Sequence, residues 1–514
     1  MNTTLAVDPI GLDASPRKDL PLSCAVITDF AEWERLAPEW TRLWKSDPEA
    51  EVFQTFAWNR AWWLANAHHF ELCTVVVWSG DRVTAILPLV RRGSTIQFMA
   101  TPEADYADIL CEEKDATRGL TIAIQALFGI KGWDECVLMH LSCNSRVVRH
   151  WKELPSRIRD RCAMVAAAPC PTVLLRTEPG LLKKLADKKH LRRHETKLQK
   201  SAPLVLRLLT GGEDITRRLP DFIRQQILRR ELSAEASSCQ RPEFTALLYA
   251  LAEQTDLFPQ MKFFVLEWNG QPLAYHLGFE VNGKFTMYQQ TFNVDAWDYS
   301  AGEVLMRQLF LYAHGRVTRE FDFSVGEEFY KSRFANHYKP NFVAYIENRR
   351  IRGKARSFRR KIQGSLAQPI SKLKLALRGW SRIYRAAKYL RVWCAETEAL
   401  LRHVTDETPL GQAADGTKIE IKQALLGDLA ELHRECPRFR LATKLGTFKQ
   451  RLRDGDKVYI GRYRGRPALL AWVRKSSAQT SSAGRNEIYD WVPLQKKRWQ
   501  VSREAVDAFL ATLK

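Results

Sequence analysis

The stretch FFVLEWNGQPLAYHLGFEVNGKFTMYQQ, residues 263–290, decides the fold of this chain. Runs of aromatic, aliphatic and β-branched residues alternate there with two Asn-Gly pairs, Asn269-Gly270 and Asn282-Gly283. An Asn-Gly pair supplies the two positive φ angles that a two-residue hairpin turn requires. The stretch therefore predicts three antiparallel strands joined by tight turns.

The segments on either side of this meander complete one supersecondary unit. Residues before it predict a strand and two helices, at 204–209, 215–230 and 243–254. Residues after it predict a helix, a strand, a short helix and a closing strand, at 302–314, 319–325, 330–336 and 342–346. We expect mixed sheets flanked by helices, which is an α+β fold.

The same order of elements occurs in two further copies. The first copy has its own Gly-turn hairpin at 73–90, and the third has one at 457–473. Helix pairs beside hairpins also occur by coincidence in α+β proteins, so the pattern alone leaves that alternative open. The third copy ends early, after EIYDWV and a helix beginning at Ser502, and we expect it to lack a complete ligand cleft.

Length and composition agree with several folded domains. A chain of 514 residues with 45% hydrophobic residues exceeds one ordinary core. The predicted divisions are a disordered N-terminal segment (1–22), a first unit (23–175), a second unit with the donor site (176–348), a basic helical linker (349–415) and a third partial unit (416–514). Neither a signal peptide nor a membrane span is evident in the sequence, so we expect a cytoplasmic protein.

The cysteines and the charge exclude other classes of function. Ten cysteines contain no C-x-x-C pair and no zinc-like His spacing, so no metal is expected. The formal charge is +21, but fifteen Lys or Arg and no acid fall within 349–394. This concentration, without a DNA- or RNA-binding motif, argues against nucleic acid as the main ligand.

Several motifs resemble those of CelD/BcsL-like acetyltransferases, which are tandem members of the GNAT superfamily. The first copy carries FQTFAWNRAWW (53–63), ILPL (86–89) and DYADIL (105–110). The second carries YSAGEVLMRQLF (299–310) and FDFSVGEEFYKSRFA (321–335), and the latter is also similar to the Fem peptidyltransferases. The resemblance implies transfer from acetyl-CoA or another acyl-CoA. Two departures are Ala301, where the family prefers Pro, and the lack of a full Q/R-x-x-G-x-G/A loop.

The start of the helix near 302 is the predicted donor site. Ser300, Ala301 and Gly302 would bring free N–H groups and the positive end of the helix dipole close to a pyrophosphate. An ordinary Ser N-cap followed by Gly gives the same pattern. Tyr288 and Gln290, on the last strand of the meander, are further donor-site candidates, although strand aromatics more often pack in a core.

Asp322 and Lys331 are the predicted catalytic residues. Asp322 lies between two Phe residues on a strand, so alternation directs it to the other face, where it would accept or orient a proton. A hydrogen-bonded edge residue fits equally well. Lys331 matches a lysine that lies beside the reacting groups in the Fem-like pattern, and a surface lysine is the alternative. Tyr330, its neighbour, is a substrate-binding candidate.

Three more residues are candidate substrate ligands: His276 on the middle strand of the meander, and Asp105 and Asp108 in the first copy. His276 would otherwise serve packing, and the two aspartates would otherwise serve as turn or helix-cap residues. No Ser-His-Asp or Cys-His arrangement is present, so no covalent acyl-enzyme is expected.

Two basic stretches suggest contacts with anions. The run 183–200 has eight Lys or Arg against two acids and fits either a solvated helix face or an anion-binding one. Within 349–394, Trp380 and Tyr384 belong to an apolar stripe with Lys and Arg between its members. This stripe predicts a helix that lies on an anionic inner-membrane surface or packs on the folded units.

Three functions fit these features. The first is N-acylation of an amine, on a cell-envelope sugar or polysaccharide precursor, with acyl-CoA as donor. The second is Fem-like aminoacyl transfer from tRNA. The third is a non-catalytic subunit of an exopolysaccharide or cellulose assembly. Fold class alone does not choose among them.

Overall fold

The structure is a computed structural model that describes residues 22–348 and 420–493. Short gaps within these ranges fall at 177, 234–235, 327, 437–438, 440, 464 and 476–485. The described residues form two compact units. The first unit holds 22–223, 239–292 and 298–348, and the second holds 224–238, 293–297 and 420–493. The predicted disordered segment up to residue 21 and the predicted linker 349–415 lie outside the described residues.

The N-terminal half of the first unit contains ten strands and six helices. The strands are β1 (Leu22–Ile27), β2 (Glu71–Leu72), β3 (Thr74–Ser79), β4 (Arg82–Leu87), β5 (Leu89–Arg92), β6 (Thr95–Phe98), β7 (Leu110–Cys111), β8 (Glu135–Ser142), β9 (Cys162–Ala166) and β10 (Cys170–Leu174). The helices are α1 (Phe30–Glu34), α2 (Ala37–Ser46), α3 (Phe56–Asn66), α4 (Ala116–Gly129), α5 (Arg146–Arg149) and α6 (Ser156–Arg159).

From residue 204 on, the C-terminal half follows the order that the sequence predicts, with one additional short strand at 337–339. Its elements are α7 (Leu181–Ala186), α8 (Lys189–Gln199), β11 (Leu204–Leu209), α9 (Gly212–Leu232), α10 (Pro242–Glu253), β12 (Met261–Trp268), β13 (Gln271–Val281), β14 (Lys284–Phe292), α11 (Ala301–Ala313), β15 (Glu320–Asp322), α12 (Phe329–Ser332), β16 (His337–Lys339) and β17 (Asn341–Glu347). Residues 224–232 of α9 belong to the second unit.

Local sequence explains the main elements of this half. Asn269, Gly270, Asn282 and Gly283 all have positive φ angles, as the two-residue turns of the meander require. The buried residues of α11 recur every three or four positions and form one apolar face. They are Ala301, Val304, Leu305, Met306, Leu309, Phe310 and Ala313.

Three sheets form the first unit, and two strands are exchanged between its halves. The strand orders are β1-β3-β4-β7, β2-β5-β6-β8-β17-β9 and β11-β12-β13-β14-β15-β10-β16. Strand β10 precedes the second half in sequence, yet it lies between β15 and β16 of that half's sheet. Strand β17 closes the second half, yet it lies between β8 and β9 of the first half. Each half therefore completes the sheet of the other.

The second unit is a four-stranded antiparallel sheet with two helices. Its elements are β18 (Glu420–Ala424), α13 (Leu426–Glu435), α14 (Leu441–Arg453), β19 (Lys457–Tyr463), β20 (Arg466–Lys475) and β21 (Asn486–Pro493). The strand order β18-β19-β20-β21 matches the predicted third copy as far as β21. The predicted helix from Ser502 lies outside the described residues. Among the described helices, none has the length and apolar character needed to cross a membrane.

Within this unit, the segment 293–297 contacts the start of α13. The backbone N–H of Gly427 donates to Asp295 Oδ1 at 2.7 Å. A Cβ at Gly427 would lie 3.2 Å from the Asp295 carboxylate, closer than most such contacts. The carboxylate therefore occupies the end of α13 at which the helix dipole favours negative charge.

Candidate functional site

Strand β14 extends well beyond its short parallel partner β15 in the C-terminal half. Strand β14 pairs with β15 only over Lys284–Thr286, opposite Glu320–Asp322, and continues six residues further to Phe292. Its pairing with β13 skips Tyr288, which marks a bulge. Beyond Thr286, the edge of β14 that faced β15 is no longer hydrogen-bonded to it. An extended ligand has a strand edge to pair with at this position.

The start of α11 is beside the second half of β14. Gln290 Nε2 donates to the carbonyl oxygen of Gly302 at 3.4 Å. A Cβ at Gly302 would lie 3.5 Å from both Gln290 and Phe292. Ser300, the N-cap residue, has a left-handed backbone with φ +56° and makes no side-chain capping hydrogen bond. The structure thus brings the predicted donor residues Ser300, Ala301, Gly302 and Gln290 together.

Basic side chains surround the first turn of α11. Glu303 accepts from Arg333 at 2.6 Å and lies 3.5 Å from His194 Nε2. Arg333 also contacts His190 at 2.9 Å, and burial lowers the pKa of that imidazole. Lys197 lies over the ring of Tyr299. This side of the helix start places Arg333 and Lys197 near the positive end of the helix dipole, an arrangement that suits a phosphate.

A loop from the N-terminal half brings Asp105 to the same region. Ser324 Oγ donates to Asp105 Oδ2 at 2.5 Å. Burial raises the pKa of Asp105 to about 6, although Ser324, His140 and Lys331 act to lower it. The carboxyl group therefore changes protonation near neutral pH, which is the range useful to a general base.

The backbone around Asp105 is strained. Three residues other than glycine have left-handed conformations: Ala100 (φ +66°), His140 (φ +59°) and Ser324 (φ +62°). His140 Nδ1 lies 2.5 Å from the carbonyl oxygen of Ala104, and the N–H of Ala104 donates to the Ala100 carbonyl at 2.6 Å. Such conformations are costly and cluster at functional sites. They identify the surroundings of Asp105 as a candidate site.

Lys331 and Tyr288 lie close to Asp105. Lys331 is buried, and its Nζ donates to the carbonyl oxygen of Val325 at 2.8 Å and contacts Glu328 at 2.9 Å. Tyr288 donates its O–H to the carbonyl oxygen of Glu103 at 3.0 Å. Burial and the nearby Asp105 raise the pKa of Tyr288. Tyr330, the remaining candidate here, is half-buried on α12.

Asp322 is fully buried in an ion-paired network. Its Oδ2 accepts from Tyr106 Oη at 2.8 Å and lies 2.9 Å from Lys284 Nζ and 2.6 Å from Lys339 Nζ. Its Oδ1 accepts from the backbone N–H of Ser324 at 2.7 Å. Burial alone would raise the pKa of Asp322, but the two lysines lower it well below its usual range. These contacts favour a permanently charged, structural carboxylate.

Two further carboxylates complete this network. Glu51, from the N-terminal half, lies 2.5 Å from Lys284 Nζ, and Glu320 lies 2.9 Å from Lys339 Nζ. Burial raises the pKa of Glu51. Neither Lys284 nor Lys339 was among the residues predicted from the sequence. Lys284 begins β14 directly after a turn and Lys339 ends the short strand β16, where lysines are usually exposed, so no local signal in the sequence indicates that either is buried.

Asp108 and His276 lie away from the Asp105 cluster. Asp108 accepts from the backbone N–H groups of Arg146 at 2.5 Å and Val147 at 3.1 Å, at the start of α5. Burial raises the pKa of Asp108 to about 7. These contacts are those of a helix-cap residue, the alternative that the sequence left open. His276 is fully buried between aromatic rings, and burial lowers its pKa to about 3.

A comparison with protein families matches the acetyltransferase (GNAT) domain to residues 186–332. This range covers α11, strands β14 and β15, and Lys331. The fold is GNAT-like. The prediction of GNAT-like units with mixed sheets flanked by helices is thereby confirmed, and the CelD/BcsL-like assignment stays a prediction.

Solved structures with similar folds include FemX, with 10% identity, a TM-score of 0.44 and coverage of 61% of this chain and 96% of that one. A tandem GNAT protein from the clavulanic acid biosynthesis pathway has 12% identity, a TM-score of 0.35 and coverage of 64% and 99%. A GCN5-related N-acetyltransferase from Sphaerobacter thermophilus has 15% identity, a TM-score of 0.29 and coverage of 64% and 97%. A comparison with curated proteins gives no significant match.

Proposed function

We propose that the chain transfers an acyl group from acyl-CoA to an amine. The observation that carries this proposal is the edge of β14 beyond Thr286, which is not paired with β15 and lies beside the start of α11. The pyrophosphate would bind at Gly302, and the extended arm of CoA would pair with the open edge of β14. Asp105 would receive the proton of the attacking amine, and Lys331 would help to stabilise negative charge near the thioester.

The acceptor would approach from the side of Asp105 and Tyr288. Both residues lie where the loop of the N-terminal half meets the β14 bulge. The resemblance of the sequence motifs to those of CelD/BcsL-like acetyltransferases supports an amine on a cell-envelope sugar or polysaccharide precursor as the acceptor. An assay of a panel of amino sugars and small amines would identify the class of acceptor, with release of the free CoA thiol as the readout.

Substitution of Gly302 tests the donor site. In Gly302→Val, the Cβ would make ordinary contacts with Gln290 and Phe292, and the two γ-methyl groups would occupy the space at the helix start that a pyrophosphate needs. We expect acetyl-CoA to bind about tenfold or more weakly, which corresponds to a clash of about 1–3 kcal/mol. Isothermal titration calorimetry measures the change. Gly446→Val is the matched control, because a Cβ at Gly446 meets nothing within 4 Å. Equal affinity in the Gly302 variant and the parent would contradict this site.

One observation favours a second donor, an aminoacyl-tRNA. Helix α8 contacts α11 and has exposed basic residues that would follow a phosphate backbone: Lys189, Arg192, Arg193 and Lys197. A direct competition separates the two donors. If acyl-CoA is the donor, tRNA should neither displace acetyl-CoA nor support transfer. Displacement of acetyl-CoA by charged tRNA, together with aminoacyl transfer, would favour the second donor.

A further inference from the structure

Two histidines and a glutamate from separate elements meet on the surface of the first unit. His68 and His69 follow the C-terminal end of α3, and Glu243 is in the first turn of α10. His69 Nε2 lies 2.9 Å from Glu243 Oε1, and one possible ligand atom from each residue lies within 4.8 Å of the others. The two imidazole centroids are 4.0 Å apart.

The donor set has the chemistry of a transition-metal site. Two imidazole nitrogens and a carboxylate oxygen are three of the four ligands of a tetrahedral zinc ion, and water supplies the fourth. Around such an ion, with bonds of about 2.0–2.1 Å, ligand atoms lie roughly 3.4 Å apart. Metal binding would draw the three ligand atoms, which lie within 4.8 Å of one another, to that spacing. The two histidines are exposed, which gives a metal ion access to them.

We propose that His68, His69 and Glu243 bind one divalent transition-metal ion, of the zinc class. The sequence did not suggest this site because Glu243 is 174 positions from His69, beyond any local ligand motif. The metal would link α3 of the N-terminal half to α10 of the C-terminal half.

Such a link has a consequence for the candidate site. Glu103 accepts from Trp62 of α3 at 2.9 Å and contacts Arg241, the residue before α10, at 2.7 Å. The carbonyl oxygen of Glu103 also accepts from Tyr288. The same two helices therefore hold the loop that carries Asp105, and a metal between them would stabilise that loop. This consequence rests on the proposed function, whereas metal binding itself does not.

Cobalt substitution tests the site on the full-length, tag-free chain. Co²⁺ in a four-coordinate His₂Glu site gives visible d–d absorption of high intensity, and thiolate ligation would add charge-transfer bands in the near ultraviolet. We expect one Co²⁺ per chain, no thiolate bands, and displacement by one equivalent of Zn²⁺. Zn²⁺ should also raise the melting temperature, because a ligand that binds only the folded state stabilises it.

The variants decide which residues bind the metal. His68→Ala and His69→Ala should each weaken Co²⁺ binding at least about tenfold, and Glu243→Gln should weaken it as well. His314→Ala, at an exposed histidine that follows α11, is the matched control and should bind as the parent does. The site is refuted if the parent shows no intense d–d absorption, if thiolate bands accompany it, or if His68→Ala binds normally. Because the readout is a spectrum, a failure of acyl transfer would leave this result unaffected.

Discussion

Ser324 connects two carboxyl groups whose protonation states differ. Its hydroxyl donates to Asp105, and its backbone N–H donates to Asp322. Burial raises the pKa of Asp105 to about 6, whereas Lys284 and Lys339 overcome burial and lower the pKa of Asp322. Two carboxyl groups with pKa values driven apart by their surroundings are suited to different roles. We therefore propose proton transfer for Asp105 and a structural role for Asp322.

Asp105→Asn tests the first of these roles. The amide accepts no proton, so we expect kcat to fall by about 10²–10⁴-fold. In the parent, kcat should increase as pH rises through about 6, because the carboxyl group must lose its proton to act as a base. The variant should lose this step in the pH profile and keep a melting temperature close to that of the parent. If Asp105→Asn has the same rate and pH profile as the parent, Asp105 is not the proton acceptor, and Asp322 or water would take that role.

Asp322→Asn should act on stability. Removing one partner of a buried ion pair typically costs about 3–5 kcal/mol, because the remaining charges lose their compensation. We expect a loss of that size in urea denaturation. Asp214→Asn is the control, since Asp214 is an exposed partner of Arg217 and should contribute at most about 1 kcal/mol. Full stability together with lost activity would restore the catalytic assignment of Asp322.

The pH dependence of stability gives a second measurement on Asp322. Its folded-state pKa lies below the unfolded value of about 3.9. The stability that it contributes is therefore present above that pH and is lost as pH falls toward the folded-state pKa. The difference in unfolding free energy between the parent and Asp322→Asn should shrink below about pH 4. A constant difference would mean that the lysines do not favour the ionised form.

At the scale of elements, the exchange of β10 and β17 makes each half depend on the other. Fragments 22–175 and 176–348, cut at the predicted boundary, would each lack an interior strand of their own sheet. We expect neither fragment alone to unfold cooperatively. The missing strand would leave its two neighbouring strands with unpaired edges inside the sheet. Circular dichroism in urea and amide exchange measure this. The full chain is the control, because residues 224–238 and 293–297 belong to the second unit, and cooperative unfolding of either fragment would contradict the interdependence.

The elements also show how far the sequence was informative. The Asn-Gly pairs identified the meander, and apolar spacing identified α11, because both signals are local. The exchange of strands was not predicted, since the partner of a strand depends on contacts distant in sequence. The pairing of Asp322 with Lys284 and Lys339 was missed for the same reason. Asp105, Lys331 and Tyr288 were each identified, but their proximity came only from the structure.

At the scale of the whole molecule, the candidate site draws on both halves of the first unit. Asp105 comes from the N-terminal half, and Tyr288 and Lys331 come from the C-terminal half. The buried network does the same, with Tyr106 and Glu51 from one half and Lys284 from the other. Both halves thus contribute residues to the candidate site, so the proposed phosphate-binding residue Gly302 and the proposed proton acceptor Asp105 can be altered in different halves of the chain.

The composition of residues 349–394 leads us to expect that the protein binds an anionic membrane surface. Residues 349–394, which lie outside the described residues, contain fifteen Lys or Arg and no acid, together with the aromatic anchors Trp380 and Tyr384. Near an anionic surface, each basic residue contributes about 1 kcal/mol before screening. We therefore predict binding to anionic vesicles that weakens in high salt, with an apolar component that remains.

Co-sedimentation with vesicles measures this binding. Anionic vesicles should retain the chain at low salt, and neutral vesicles should retain little. Deletion of 370–393 removes Trp380, Tyr384 and the apolar stripe, so it should abolish the salt-resistant component. The run 183–200 provides the internal comparison, because it is also basic but lies on α7 and α8, which bury Leu182, Leu191 and Leu198 within the first unit. If the deletion variant binds the vesicles as strongly as the parent, the run 183–200 would be the membrane-binding segment, and 349–394 would only connect the units.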